Sequence, residues 1–297
     1  MTRILAALLV AVLPFGAVAA GHNKAHVARI SNADFTKDGE PNLQSSGVLV
    51  LDPTTGQTLF SKNADTAAPI ASLTKLMTAM VVLDASLSMD EALEITKEDV
   101  DTFKNSTSRL PVGSHFRRED LLRLALMASD NRAAAALGRT YPGGLPAFVD
   151  AMNAKAHALG ANNTHYVDSS GLNPGNMSTP ADLGKIVAAA SGYERIREFT
   201  TTGALSVQLP DSKRKLTFVN TNVLVRHSDW KIGLSKTGYI TEAGKCLVMQ
   251  AIIANSPVVI VLLDSWGRLT RVGDANRIRK WLERNPEKLA GAAFKPM

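Results

Sequence analysis

Segments with the pattern of β-strands occur near both ends of the chain and are separated by a long stretch whose pattern is helical. Near the beginning, residues 47–51 and 57–60 flank residues 52–56, Asp-Pro-Thr-Thr-Gly, a connection typical of a hairpin. The later β-type runs are 204–209, 215–220, 230–236, 246–254 and 257–264. The early hairpin can join the later strands, and the helical stretch is then an insertion. This order predicts an α+β fold: a largely antiparallel sheet flanked by helices, with an all-helical insertion.

Apolar residues at helical spacing predict the helices of the insertion and of its flanks. A helix over residues 72–84 precedes the insertion, which we place at about residues 85–170. Ser178 or Thr179 is expected to cap a later helix that runs to residue 190. The remaining predicted helices are 118–128, 131–139, 146–159 and one around 272–284. The seam between sheet and insertion is where we expect a ligand site.

The first 19 residues have the features of a cleavable signal peptide. Arg3 precedes an apolar stretch, residues 4–12, and Ala17-Val18-Ala19 is a small-residue cleavage site. The alternative is an uncleaved anchor helix, which the short apolar stretch disfavours. We therefore expect an exported, periplasmic protein without a stable membrane anchor. Within it we predict a flexible leader at 20–44, the main domain at 45–285 and a short tail at 286–297.

Composition excludes several classes of protein. The single cysteine, Cys246, excludes an intramolecular disulfide and a zinc site of several cysteines, and its apolar neighbours predict that it is buried. The six histidines lack the spacing typical of a metal site, so we expect neither a metal nor a cofactor. The net charge of +6 comes with short basic runs that lack interleaved aromatic residues, which argues against nucleic-acid binding.

Three short motifs occur in order along the chain: Ser72-Leu-Thr-Lys75, Ser129-Asp-Asn131 and Lys236-Thr-Gly238. Each is weak to moderate evidence alone, because short motifs arise by chance. A second S-x-x-K, for example, lies in the charged run 212–215. The ordered set, with each member in a sensible structural context, is much more specific.

Ser72 and Lys75 are three residues apart on a predicted helix, so their side chains share a face. Apolar neighbours would desolvate Lys75 and lower its pKa, and Lys236 is the candidate second cation that would lower it further. A neutral Lys75 could take the proton of Ser72 and make it a nucleophile for acyl transfer. The alternative is a serine that caps the helix and a lysine that extends to solvent.

The other two motifs also allow two interpretations. Ser129 could relay a proton and Asn131 could donate an amide hydrogen bond to a substrate carbonyl, but Ser-Asp-Asn also serves well as a helix cap. Lys236 and Thr237 alternate faces of a strand, and Gly238 would let a substrate backbone approach a sheet edge. The alternative for this third motif is a strand that simply ends in a turn.

Together the motifs resemble those of the penicillin-binding serine peptidases, whose relatives include the serine β-lactamases. The resemblance covers about residues 40–285 and is carried also by segments 71–84, 124–135, 141–144 and 151–156. It implies a β-lactamase-like or DD-peptidase-like fold and an acyl-enzyme on a serine. Its implied substrates are peptidoglycan stem peptides and cross-links, and β-lactam antibiotics are implied as covalent inhibitors.

The resemblance also implies roles for individual residues. Ser72 would be the acyl-ester nucleophile, Lys75 the base and Ser129 the proton relay. The substrate-binding residues would be Asn131, Lys236, Thr237, Gly238 and Tyr239, with the backbone N–H groups of Ser72 and Tyr239 as the oxyanion hole. An arginine near the last strand would help bind the substrate carboxylate, and both Arg268 and Arg271 qualify.

Two departures from the pattern refine the expected activity. The glutamate that activates deacylating water in class A β-lactamases is replaced by Ser169, and Asp168 is one residue out of register. Penicillin should therefore inhibit the protein rather than be destroyed by it. The short tail favours, by resemblance, a D-alanyl-D-alanine endopeptidase. A D-alanyl-D-alanine carboxypeptidase, and a non-catalytic penicillin-binding module that docks on peptidoglycan, remain the alternatives.

Overall fold

The computed structural model describes residues 34–209 and 214–290. The strands are β1 (Ser45–Leu51), β2 (Thr58–Lys62), β3 (Ala68–Pro69), β4 (Ala92–Glu94), β5 (His115–Arg117), β6 (Met177–Ser178), β7 (Ala204–Gln208), β8 (Lys215–Val219), β9 (Lys231–Ile240), β10 (Gly244–Ile253) and β11 (Ser256–Ser265). The helices are α1 (Lys75–Asp84), α2 (Arg118–Met127), α3 (Asn131–Arg139), α4 (Gly144–Ala158), α5 (Pro180–Ala190), α6 (Glu194–Thr201), α7 (Thr270–Arg284) and α8 (Glu287–Ala290). Short 3-10 helices lie at Ala71–Thr74, Lys97–Asp99 and Val223–Arg226.

Five strands form the main antiparallel sheet, in the order β2-β1-β11-β10-β9. The early hairpin joins the late strands through β1 and β11, where Gly47 pairs with Leu263 and Leu49 with Val261. The predicted largely antiparallel sheet is therefore confirmed. Strand β9 lies at one edge of this sheet, which leaves one side of its backbone without a neighbouring strand of the sheet.

The central strands are buried on both faces, and alternate residues supply two cores. Val48 and Ile260 pack with Ile278 and Trp281 of α7 on one face. Leu49, Val259 and Val261 pack on the other face with residues of α1 and α5. Because most side chains in the middle of these strands point into one core or the other, this part of their sequences is a continuous apolar run.

Two of the late strands do not belong to the main sheet. β7 and β8 pair only with each other, with Leu205 opposite Phe218 and Val207 opposite Leu216. Their residues alternate between exposed and more buried positions, so one face of the pair is open to solvent. A strand that buries a single face needs cover on one side only, and this pair packs, from outside the sheet, against the core that contains residues of α1 and α5.

The insertion predicted as all-helical over about 85–170 is mainly helical, and it also contains one short strand pair. Helices α2, α3 and α4 lie there, but β4 and β5 form a small antiparallel pair in which Leu93 faces Phe116. Both side chains are buried while their chain neighbours are exposed, the alternation that favours strands. Helical structure also continues past residue 170 through α5, which was predicted with its Thr179 cap, and α6, which was not.

The described part of the predicted flexible leader, 20–44, is packed against the rest of the fold. Asp34 forms ion pairs with Arg277 and Lys280 of α7, at 3.3 and 3.1 Å, and Leu43 is buried in the core that contains α7. The backbone N–H of Gln44 donates to the carboxylate of Asp274. The predicted signal peptide, 1–19, and residues 291–297 of the predicted tail lie outside the described residues. Among those described, no helix is both long and apolar enough to cross a bilayer.

Candidate active site

Ser72 and Lys75 lie where a 3-10 turn passes into helix α1. The turn Ala71–Thr74 leads directly into α1, which begins at Lys75. Lys75 Nζ is 2.9 Å from Ser72 Oγ, so the two side chains are in hydrogen-bond contact. Lys75 is fully buried, whereas Ser72 is partly exposed. The alternative of a lysine that extends to solvent is excluded by this burial.

Two further oxygen atoms hold the amine of Lys75. Nζ donates to Asn131 Oδ1 at 2.7 Å and to the backbone carbonyl of Ser170 at 2.5 Å. Burial lowers the pKa of Lys75 from 10.5 to about 7, because a charged amine loses its hydration there, and the carboxylates of Asp168 and Asp130 oppose this change only in part. The amine is thus held next to Ser72 in a form that is neutral in about half of the molecules near neutral pH.

A second lysine–serine pair faces the first. Lys236 Nζ, on strand β9, donates to Ser129 Oγ and to the carbonyl of Thr237, both at 2.8 Å. Burial lowers the pKa of Lys236 well below its usual value, and the positive charges of Lys75 and Arg271 lower it further. Ser129 therefore lies between strand β9, which carries Lys236, and helix α3, which begins two residues after Ser129.

The second motif both caps a helix and contributes to the site. Asp130 is the N-cap of α3, and its carboxylate accepts the backbone N–H of Ala133 at 2.9 Å. Its neighbour Asn131 points its amide oxygen at Lys75, while its amide nitrogen donates to Ser106 Oγ at 2.9 Å. The two interpretations of Ser129-Asp-Asn131 are therefore compatible, because different residues of the motif carry them.

Backbone conformation is unusual at two positions next to these side chains. Ala71, just before Ser72, has a φ of 47°, and Ser129 has a φ of 58°. Non-glycine residues rarely adopt positive φ, and such conformations cost about 1–3 kcal/mol each. The surrounding packing holds them in place, and they set the directions in which Ser72 and Ser129 project.

Gly238 allows strand β9 to lie directly against the turn that carries Ser72. A Cβ atom at this position would lie 3.0 Å from the carbonyl oxygen of Ile70 and 3.2 Å from the backbone nitrogen of Ser72. The next residue, Tyr239, is 58% exposed. The two backbone N–H groups predicted for the oxyanion hole, those of Ser72 and Tyr239, thus belong to segments that adjoin at Gly238. On the same strand, Thr237 donates its hydroxyl at 2.6 Å to Oγ1 of Thr221, a residue that follows β8.

The structure separates the two candidate arginines. Arg271 reaches strand β9, where its guanidinium donates to the carbonyls of Gly238 at 3.0 Å and Cys246 at 3.1 Å. Burial lowers the pKa of Arg271, and its charge acts on Lys236. Arg268 is exposed. Cys246 is buried as predicted, and burial raises the pKa of its thiol to about 11.

Sequence reasoning missed the part played by the loop 168–173, which supplies the carbonyl that holds Lys75. The carboxylate of Asp168 accepts the backbone N–H groups of Ser170 at 2.7 Å, Gly171 at 2.6 Å and Asn173 at 2.8 Å. These bonds fold the loop into a tight turn with the Ser170 carbonyl on Lys75. An aspartate followed by small and turn-forming residues indicates such a turn from the sequence. The sequence does not indicate that this turn lies next to Lys75.

Gly171 brings this loop against the turn that carries Ser72. Its φ is +83°, and a Cβ atom there would lie 2.0 Å from the carbonyl oxygen of Ala71. Ser169, at the position of the β-lactamase glutamate, donates its hydroxyl to the carbonyl of Ala134 at 2.8 Å. Its side chain is thereby tied to helix α3 rather than directed at Ser72.

The chain is similar to known D-alanyl-D-alanine peptidases over most of its length. The family model described as D-alanyl-D-alanine carboxypeptidase matches residues 34–266. A D-alanyl-D-alanine endopeptidase of Pseudomonas aeruginosa is 48% identical over 244 residues, which are 82% of this chain and 79% of that protein. One of Escherichia coli is 43% identical over 251 residues, 84% of this chain and 81% of that protein. The crystal structure of the Streptomyces K15 DD-transpeptidase matches with a TM-score of 0.76 at 32% identity, over 81% of this chain and 97% of that chain.

Proposed function

The chain belongs to the D-alanyl-D-alanine carboxypeptidase family of serine peptidases, and from this premise we propose that it is an endopeptidase that hydrolyses the cross-links of peptidoglycan. The observation that carries a catalytic role is the buried Lys75 amine, 2.9 Å from Ser72 and with a pKa of about 7. The relatives at 48% and 43% identity are named endopeptidases, whereas a relative named carboxypeptidase, that of Streptomyces strain K15, is 33% identical.

In the proposed acylation step, Ser72 attacks the carbonyl of the D-alanine in the scissile amide. The neutral amine of Lys75 takes the Ser72 proton as the C–O bond forms. Negative charge builds on the carbonyl oxygen, where the backbone N–H groups of Ser72 and Tyr239 would stabilise it. When the C–N bond breaks, the leaving amine needs a proton, which Ser129 passes on from the adjacent lysines. Water then hydrolyses the ester with the same residues acting in reverse order.

The side of the site formed by β9 is suited to the carboxylate of the leaving group. Arg271 is close enough for its positive charge to lower the pKa of the buried Lys236, so an anion next to both groups is electrostatically favoured. The hydroxyl of Thr237 lies on the same strand. A bound carboxylate would offset the repulsion between the two cations, and a neutral leaving group would not. This selectivity matches an amide whose leaving amine bears a carboxylate next to it.

β-Lactams are proposed as covalent inhibitors that the enzyme releases slowly. Rapid release would need a base that activates water against the acyl-enzyme, and Ser169 occupies the sequence position of that base. The carboxylate of Asp168 is engaged by three backbone N–H groups and by the side chain of Asn176. We also propose that the protein acts in the periplasm, after export by the predicted signal peptide.

Carboxypeptidase activity is the second candidate, because the family model carries that description. Both activities use the same acyl-enzyme chemistry and differ in what is attached to the leaving amine. The deciding experiment offers the purified protein a cross-linked muropeptide dimer and a stem-pentapeptide monomer side by side. We expect the dimer to be cleaved to monomers, and the Ser72→Ala variant to cleave neither. Loss of D-alanine from the monomer with an intact dimer would make the protein a carboxypeptidase instead.

A further inference from the structure

A groove at the end of the main sheet exposes two aromatic side chains beside the candidate active site. The groove, about 330 Å³ in volume, is lined by the ends of β9, β10 and β11 and by the residues that follow β11. Trp266 is 85% exposed, the highest value among the large apolar side chains within residues 34–209 and 214–290, and Tyr239 is 58% exposed. We call this surface the strand-end groove. Its lining residues are Tyr239, Thr241, Gly244, Lys245, Asp264, Ser265, Trp266 and Gly267.

The groove is built on the sheet rather than on a long loop. Asp264 has a φ of 47°, and the pairing of β10 with β11 shifts register between Lys245 and Leu247, as in a β-bulge. Gly244 lies so close that a Cβ atom there would be 2.4 Å from Asp264 Oδ1. Ser265 is buried, with its hydroxyl 2.7 Å from that of Ser45 on β1. The residues on both sides of the aromatic rings are therefore held by the ends of paired strands.

Charged side chains frame the aromatic surface. The ammonium group of Lys245 lies 4.4 Å from the centre of the Tyr239 ring, a cation–π contact. Asp264 is on the opposite strand and is exposed. Thr241, which carries a hydroxyl, also lines the groove. The surface thus combines flat aromatic rings with one positively and one negatively charged side chain that can form hydrogen bonds.

The groove is continuous with the candidate active site through Tyr239. The backbone N–H of this residue is proposed for the oxyanion hole, while its side chain lines the groove. Arg271, proposed to bind the substrate carboxylate, follows Trp266 by five positions. A large substrate bound at Ser72 therefore has part of its length next to the groove.

We propose that the strand-end groove binds a sugar ring of the glycan strand of peptidoglycan, a proposal that rests on the proposed function. The stem peptides are rich in carboxylates and amides and offer little apolar surface to cover an indole. A sugar ring presents a face of C–H groups that can stack on an aromatic ring, with hydroxyls around its edge that Asp264, Lys245 and Thr241 can bond. Tryptophan and tyrosine commonly dominate such contacts because they bury a large rigid surface.

The test compares two cross-linked dimers, one with its disaccharides and one from which an amidase has removed them. Trp266→Ala should lower kcat/KM for the sugar-bearing dimer about tenfold, mainly through KM, while the sugar-free dimer and the rate of acylation by penicillin stay unchanged. Trp266→Phe, which keeps a ring, should retain most of the activity. Leu269→Ala is the matched control, because Leu269 is 63% exposed but does not line the groove. An equal loss on both dimers, or a loss on neither, would overturn the proposal.

A binding measurement tests the groove independently of the proposed function. If the wild-type protein cleaves neither dimer, the endopeptidase proposal fails. Sugar binding in the groove is then measured by tryptophan fluorescence. The three tryptophans are Trp230, Trp266 and Trp281, and only Trp266 is exposed. Adding a tetramer of N-acetylglucosamine should change the emission of the wild type but not that of Trp266→Phe. An emission unchanged in the wild type at millimolar tetramer would contradict a sugar site.

Discussion

The pH dependence of acylation tests the proposed role of Lys75. Burial moves the pKa of this amine from 10.5 to about 7. That difference corresponds to about 5 kcal/mol in favour of the neutral form, and at pH 7 it raises the neutral fraction from about 0.03% to about half. The concentration of the base that can take the Ser72 proton thus increases more than about a thousandfold.

The assay is the second-order rate of labelling by a fluorescent penicillin between pH 5 and pH 9. Below the pKa of Lys75 the rate should fall about tenfold for each pH unit, and above pH 8 it should level off. Lys75→Arg is the control, because its guanidinium stays charged and should leave labelling very slow at every pH. A rate that does not change between pH 5 and 9, or that still rises tenfold per unit at pH 9, would refute a neutral Lys75 as the base.

Further predictions concern the groups around this lysine. Asp168→Asn should slow labelling by misplacing the Ser170 carbonyl. It should also move the acid limb of the pH profile to lower pH, because the charge of Asp168 raises the pKa of Lys75 and its removal lowers that pKa; a purely structural role would leave the limb in place. Gly171→Ala should destabilise the fold by several kcal/mol in urea unfolding, since its Cβ would meet the carbonyl of Ala71 at 2.0 Å; unchanged stability would contradict that contact. Between about pH 7 and 10.5 the Lys75 amine binds fewer protons in the folded than in the unfolded protein, so the free energy of unfolding of the wild type should rise with pH. Lys75→Met should reduce the slope of unfolding free energy against pH, and equal slopes in the two proteins would argue against the lowered pKa. Benzylpenicillin should remain bound as an acyl-enzyme for many minutes, whereas rapid turnover would show that a deacylating base is present.

Local patterns were sufficient to predict the sheet and most helices. The early hairpin and the late strands were identified from β-type runs, and Thr179 with Pro180 marked the start of α5 correctly. The pairing of β7 with β8 outside the main sheet could not be predicted, because the sequence pattern of a strand does not indicate which strand it pairs with. The same holds for β4 and β5, whose three-residue runs are too short to stand out from the helices around them.

The site was predictable as a set of residues but not as an arrangement. The first two motifs contain the side chains that contact Lys75, those of Ser72 and Asn131, and the third contains Lys236, which contacts Ser129. That Arg271 rather than Arg268 reaches strand β9 depends on the path of the chain after β11, which brings Arg271 to the carbonyl of Gly238. The contribution of the Ser170 carbonyl is a tertiary contact across 95 residues of sequence, and no local pattern indicates it.

The most direct test of the account identifies the residue that carries a covalent penicillin. The protein is labelled with benzylpenicillin, digested with trypsin and mapped by mass spectrometry. Cleavage after Lys62 and Lys75 yields the peptide Asn63–Lys75, in which Ser72 is the only serine. The account predicts the penicilloyl group on this peptide, and its absence from the Ser72→Ala variant. A label on another peptide, or no label on a folded wild-type protein, would contradict Ser72 as the nucleophile.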